Sequence, residues 1–341
     1  MIGDVLMSTI LFDLLKSKFP EATLHYLINP YTYPVVENHP NIDEFIFYTT
    51  EIEKNYVKLF NFLKDINAQN YDAVIDVYGK LSSKLISFRS GAEIRVAYEK
   101  KSTTFIYSHS IKRQTQSKHN TNLAIENRIN LLKPLGVSFE KRYPKIYLTK
   151  EENQKAITQL ASHKIDRNKP LYMISVLGSA DQKSYPSDYM ATLLNTVIEE
   201  QPEAQLLFNY IPSQIKKAQE ILEACTTKTT SKIFFDLYGS NLRDFMALTA
   251  QCTALIGNEG GAVNIAKALD IPTFIIFSPH LTKENWFHEK DDVKNVAVHL
   301  SDFITHDKKD MDAARKEAAP YYLKFKPSFI QPKLITFLNN L

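Results

Sequence analysis

The chain has 341 residues, is 44% hydrophobic and carries a formal net charge of +3, which gives room for two ordinary domains with real cores and excludes a general nucleic-acid binder. Cys225 and Cys252 are the only cysteines and form no CxxC, which excludes a disulfide scaffold and a four-cysteine zinc site. No apolar run reaches the roughly 18 residues of a spanning helix and no signal peptide opens the chain, so the expectation is a cytoplasmic enzyme free to touch a membrane surface.

The chain opens on Gly3-Asp4, which leads directly into an apolar helix with Val5, Leu6, Ile10, Leu11, Leu14 and Leu15 on its buried side. A Rossmann-like domain has a strand before such a turn, so the N-terminal domain is expected to lack its first strand. On spacing alone Asp4 reads equally as an acid favoured at a helix N-terminus. Strands are predicted over 22–28, 44–48 and 71–77. A short helix broken by Pro34 lies over 31–39, an amphipathic helix over 51–66, and a further helix over 80–88. Residues 100–125 hold no Asp or Glu but include Lys100, Lys101, Lys112, Arg113 and Lys118. A solvated cationic loop is the simplest account of them. A helix over 120–132 then stops at Gly136.

A second domain is predicted from residue 143. Thr149 and Glu152 form a capping box for a helix running to residue 163. An apolar strand over 171–177 delivers the loop Gly178-Ser179-Ala180-Asp181-Gln182-Lys183-Ser184-Tyr185-Pro186. Strands over 205–210 and 233–235 follow. Ser240 then reads as the N-cap of a helix over 243–252. The strand Ala254-Leu255-Ile256, the turn Gly257-Asn258-Glu259-Gly260-Gly261, a small-residue helix over 262–269 and a strand over 273–277 make a βαβ unit. Its helix starts just after two glycines, so free N–H groups lie at a strand's carboxyl end, where open α/β sheets bind anionic ligands. A last strand is predicted over 295–299 and a closing helix over 331–341. No P-loop, no G-x-G-x-x-G and no metal-ligand spacing occurs, so no metal and no cofactor is implied. Asp310-Met311-Asp312 sits in a polar run and reads as a solvated face.

The run N-E-G-G-A-V-N-I-A-K-A-L followed by I-P-T-F-I-I-F-S-P resembles the signature of glycosyltransferase family nine, the lipopolysaccharide heptosyltransferases. The passages over 3–15, 71–98, 178–186 and 238–279 carry the same resemblance. Glu259 takes the family's acidic place and Gly261 its glycine, while Asn264 stands where the family has His. That exchange removes a titratable group and leaves the donor sugar open.

The resemblance implies a GT-B architecture: two Rossmann-like domains, 1–142 and 143–325, with a cleft between them, and a helix over 326–341 crossing back to the first. It implies an inverting, metal-independent transfer of a heptose or related sugar from a nucleotide-sugar donor to a lipid-linked glycan at the inner membrane's cytoplasmic face. Asp4 would be the catalytic base. Ser179, Lys183, Gly260, Gly261, Ala262 and Asn264 would bind the donor, with Glu259 accepting from its hydroxyls or pairing with Lys183. Lys100, Lys101, Lys112, Arg113 and Lys118 would face the anionic acceptor. The alternatives are a GT-B enzyme acting on another nucleotide sugar and a non-catalytic nucleotide-sugar binder.

Overall fold

The computed structural model describes residues 1–100, 105–288 and 294–341. The chain forms two compact units, Met1–Lys145 and Ile146–Leu341.

The first unit begins with the helices Ile2–Ser8 and Ile10–Lys18, which bury Leu6, Met7, Ile10, Leu11, Phe12 and Leu14. Strands β1 (His25–Ile28) and β2 (Glu44–Phe47) pair in parallel. Strands β3 (Ala73–Asp76), β4 (Ile94–Tyr98) and β5 (His109–Ile111) make a second parallel sheet in that order. Among the described residues no strand joins β1 to β3, and Met1-Ile2 leads into a helix rather than a strand. The single helix expected over 51–66 is two, Thr50–Lys54 and Tyr56–Ala68. Asn55 divides them: its backbone is extended, and its side chain accepts from the N–H groups of Val57 and Lys58 and so restarts the helix as an N-cap.

The second unit holds a six-stranded sheet, all parallel. Its members are β6 (Leu171–Ser175), β7 (Gln205–Asn209), β8 (Ile233–Phe234), β9 (Ala254–Asn258), β10 (Thr273–Ile276) and β11 (Asn295–Val298), in the spatial order β11-β10-β9-β6-β7-β8. Every residue of β6, β9 and β10 is buried, as parallel strands covered on both faces require. The chain leaves β6 toward β7 on one side and returns to β9 on the other, so the carboxyl ends of β6 and β9 form a topological switch point, where such sheets bind ligands.

Three sequence-based readings gain detail here. The closing helix, Pro327–Asn339, buries Ile330, Leu334, Phe337 and Leu338 in the core of the second unit. It packs on the helix Ser187–Glu200, where Gln331 Nε2 donates to Thr196 Oγ1 at 2.9 Å and Gln201 Nε2 to the Leu338 carbonyl at 2.9 Å. Asn241, not Ser240, caps the helix Leu242–Thr249, accepting from Asp244 N at 2.9 Å. The polar run around Asp310 is helical, Lys308–Lys316, because Asp307 and Asp310 form a capping box.

Gly257 lies where β9 passes β6. It has φ of +133°, and a Cβ there would stand 2.3 Å from the Ser175 carbonyl oxygen. Both strands are central, so neither can yield. Gly257→Ala is expected to lower unfolding stability by about 2–5 kcal/mol, from backbone strain plus overpacking, read as an earlier urea midpoint. An unchanged midpoint would show that the close approach of β6 and β9 is not needed.

Candidate functional site

In the second unit the site is assembled by one buried amide. Asn258, the last residue of β9, is fully buried. Its Nδ2 donates to the carbonyls of Ser175 at 3.0 Å and Val176 at 2.8 Å, and its Oδ1 accepts from Tyr185 N at 2.7 Å. The end of β9, the end of β6 and the far end of the 176–185 loop are thereby tied together. The loop itself is closed by Ser184 Oγ accepting from Gly178 N at 2.9 Å, and by a single helical turn, Asp181–Lys183. Gly178 is needed there, since a Cβ would meet the Lys183 carbonyl oxygen at 2.3 Å.

This loop carries Lys183 to Glu259, the residue after β9, with Nζ 3.2 Å from Oε1. Glu259 is largely enclosed and its Oε1 accepts no hydrogen bond, so the ammonium acts on it as a charge rather than as an aligned donor. Gly260 and the helix Gly261–Ala268 follow at once, and no side chain caps that helix. Its first amides, Gly261 and Ala262 among them, therefore remain available to an anion beside the Lys183 ammonium. Asn264 turns back on its own helix, Nδ2 donating to the Gly260 carbonyl at 3.3 Å. Ser179 is exposed, and no hydrogen bond of its side chain is seen among the described residues.

His280, just beyond β10, is a further member. Ser278 Oγ donates to the Gln182 carbonyl at 2.9 Å, which uses its one proton. The 2.7 Å contact between Ser278 Oγ and His280 Nδ1 then requires Nδ1 to donate. In the neutral ring Nε2 is left as an acceptor, and no described residue hydrogen-bonds it. Burial, then the positive charges of Lys183 and Arg315, hold the His280 pKa below its ordinary value. The Tyr322 phenol, hydrogen-bonded to Ser278 and close enough to Glu259 to feel its charge, is pushed up, chiefly by burial.

In the first unit Asp4 lies in the first turn of the helix Ile2–Ser8. Its Oδ1 accepts from Arg128 Nη2 at 2.9 Å. Arg128 is buried and is itself fixed by Ser8 Oγ at 3.1 Å and the Ala124 carbonyl at 2.9 Å. This partner, 124 residues away, had no local signal. Arg113 is brought into the same neighbourhood: its guanidinium lies 3.8 Å from the centre of the Tyr98 ring. Burial raises the Tyr98 pKa, with Arg128 and Arg113 opposing and Asp4 adding to the shift.

The other cations are less concentrated. Lys112 and Lys118 are exposed, and Lys100 Nζ donates to the Gly79 carbonyl at 2.8 Å. Lys101 lies outside the described residues. The organiser of this loop is an acid just beyond it. Glu126, fully buried, accepts from Ser117 Oγ at 2.8 Å and, with both oxygens, from Lys118 N at 3.0 Å.

The family model for glycosyltransferase family 9 (heptosyltransferase) matches residues 59–312. The lipopolysaccharide heptosyltransferase 1 of Campylobacter coli is 23% identical over 297 residues, 84% of each chain. Among solved structures, a family 9 glycosyl transferase of Veillonella parvula superposes with a TM-score of 0.83 at 17% identity, covering 100% of this chain and 95% of its own. The E. coli ADP-heptose LPS heptosyltransferase II gives 0.71 at 16% identity, covering 99% and 96%. These likenesses identify the fold as two Rossmann-like domains.

A pH dependence follows from the histidines. Burial depresses His280 and also His299, so both bind protons more weakly when folded than at the ordinary value of 6.5. Their contribution to stability is complete above about pH 6.5 and is lost as the pH falls toward their folded values. The depressed carboxylates Glu152 and Asp244 lose theirs only at more acid pH. Urea midpoints are therefore expected to decline between about pH 6.5 and 5, and to decline less in His280→Gln. A flat profile over that range would show that neither imidazole is held neutral by the fold.

Proposed function

Because the chain belongs to the family 9 glycosyltransferases, the heptosyltransferases, we propose that it transfers a heptose or a closely related sugar from a nucleoside-diphosphate donor, ADP-heptose-like, to a lipopolysaccharide core acceptor. The observation that carries the donor half of this reading is the Lys183–Glu259 pair at 3.2 Å beside the uncapped helix Gly261–Ala268. An ammonium and free backbone amides at a switch point fit a diphosphate. The two acceptors left unfilled beside them, Glu259 Oε1 and His280 Nε2, fit sugar hydroxyls.

The chemistry is read as a single displacement without a metal. The acceptor hydroxyl attacks the anomeric carbon, the bond to the diphosphate oxygen breaks, and configuration inverts. Lys183 and the amides of Gly261 and Ala262 meet the charge that grows on the leaving group, with Ser179 placed in the same loop to add a hydroxyl. Asp4 takes the proton from the attacking hydroxyl, and Arg128 keeps the carboxylate oriented. Arg113, held on Tyr98, together with Lys112 and Lys118 offers positive charge to an anionic acceptor, a lipid-linked glycan bearing phosphate or carboxylate. With a lipid-linked acceptor the reaction is read as taking place at the cytoplasmic face of a membrane, with the enzyme bound peripherally.

A panel of nucleoside diphosphates and nucleotide sugars tests the donor. A true donor at 100 times its dissociation constant stabilises by roughly 2.7 kcal/mol, visible as a thermal shift, and no response to any member would reject the reading. Lys183→Ala is expected to weaken donor binding by roughly 1.5–3 kcal/mol, the loss of a charged hydrogen bond. Unaltered affinity would remove Lys183 from the diphosphate site. Asp4→Asn keeps size and removes the base, so turnover should fall by roughly 10²–10⁴ at nearly constant donor affinity. If affinity falls and turnover does not, Asp4 is a binding residue.

A further inference from the structure

The helix Leu81–Arg89 has two apolar faces. Ile86 joins Leu63 and Ile66 of the helix Tyr56–Ala68 in a small core, with Leu59, Phe62 and Tyr71 packed around it. Leu81, Leu85 and Phe88 stand on the other side. At 100° per residue their spacing of four and three keeps them within about 60° of the circumference. That stripe is bare: Leu81 is 84% exposed and Phe88 54%. The neighbouring helix Tyr56–Ala68 repeats the pattern at its first turns, with Tyr56 89% and Phe60 64% exposed and Val57 beside them. The two helices pack on each other. Single exposed hydrophobics are ordinary, but apolar stripes on two packed neighbours are not, and a helix apolar on both faces calls for a second apolar environment.

Charge indicates which environment. The excess lies with the second helix: residues 50–68 balance Lys54, Lys58 and Lys64 against Glu51, Glu53 and Asp65. Residues 77–92, which include the whole bare stripe of the second helix, hold Lys80, Lys84 and Arg89 and no acid. Aromatic and aliphatic side chains interleaved with Lys and Arg on a surface helix are the composition that lies in an anionic bilayer interface, apolar groups at acyl depth and cations among the headgroups. No helix among the described residues is long and apolar enough to cross a membrane, so contact would be made from the surface. We propose that the outer faces of the helices Tyr56–Ala68 and Leu81–Arg89 form a docking surface for an anionic lipid bilayer. This deepens the reading of the acceptor as lipid-linked and rests on it, because a surface-bound enzyme meets such an acceptor in two dimensions.

The test uses the full chain and vesicles of phosphatidylcholine alone or with roughly 30% phosphatidylglycerol. Co-sedimentation is expected only with the anionic vesicles and should weaken as salt rises. The double variant Leu81→Asp/Phe88→Asp is expected to lose at least about tenfold in vesicle partitioning, and Tyr56→Asp/Phe60→Asp to lose a similar amount, with unchanged circular dichroism and unchanged nucleoside-diphosphate binding. Lys84→Glu should lose less and mainly at low salt. Absence of wild-type binding to anionic vesicles, or equal binding by both double variants, overturns the proposal. So does a wild-type dimer in solution that the substitutions convert to monomer, since the stripe would then be a contact between copies. Vesicle binding by a chain that binds no nucleotide sugar would leave the surface standing and remove the proposed reaction. The reverse result would remove the surface alone.

Discussion

The candidate donor site depends on one side chain with no charge. Asn258, at the end of β9, has three polar partners, two at the end of β6 and one in the loop, all buried. A buried amide can be enclosed only when its hydrogen bonds are made, so the network forms whole or is costly. Its geometry fixes where the 176–185 loop leaves β6 and where it re-enters the helix Ser187–Glu200. That in turn fixes how far Lys183 reaches. The glycines are consequences of the same constraint: Gly257 lets β9 approach Ser175, and Gly178 lets the loop fold over the Lys183 backbone. Lys183 and Glu259 are thus placed by uncharged groups around them.

The two units solve the problem of a parallel sheet with different completeness. In the second, β6 and β9 have partners on both edges and are buried along their whole length. In the first, β1 and β3 each have a single partner, and only Ile28 and Asp76, their last residues, are buried. Parallel strands draw stability from two covered faces and two paired edges. The first unit therefore leans more on side-chain links across the gap. His25 Nδ1 meets the Tyr71 hydroxyl at 2.8 Å across it, and within the second sheet Tyr107 donates to the Asp76 carboxylate at 2.5 Å. Asp76 also caps the following turn, accepting from Tyr78 N and Gly79 N. Turn chemistry and aromatic packing carry here what the strand ladder carries in the second unit.

What was legible in the sequence follows from range. The strands of the second unit read as short apolar runs because both faces are buried, and the Glu259-Gly260-Gly261 turn read as a ligand site because a glycine pair before a small-residue helix is local information. The capping box of Thr149 and Glu152 was equally visible. Groups that act across the chain were not. Arg128 reaches Asp4 over 124 residues, and nothing near either marks the other. Glu126 organises a loop that looked purely cationic, because a buried acid one residue beyond a window is invisible to a count within it. The helix break at Asn55 was missed since the apolar period continues through it, and only the side chain's choice of backbone partners reveals the cap. The final helix has a related feature: its apolar face shows in the sequence that it is buried, but not against what.

The Lys183–Glu259 pair gives the candidate site its electrostatic character. A lysine aimed at an uncapped helix end would face positive partial charge from the amides, and its neighbour His280 is kept neutral partly by that ammonium. Glu259 offsets this repulsion and holds the ammonium near the Gly260-Gly261 turn before any ligand arrives. Glu259 is the more enclosed partner and lacks a hydrogen bond at Oε1, so the pair is incompletely satisfied. A diphosphate brings more negative charge than one carboxylate and can take donors from Lys183 and the amides together. A sugar hydroxyl can then give Glu259 the proton that the lysine's geometry withholds. A ligand with both parts satisfies every unfilled group at once. A bare anion would compete with Glu259 for Lys183 and leave the carboxylate buried and unpaired. With the donor proposed above, this asymmetry would favour a nucleotide sugar over its nucleoside diphosphate at the same turn.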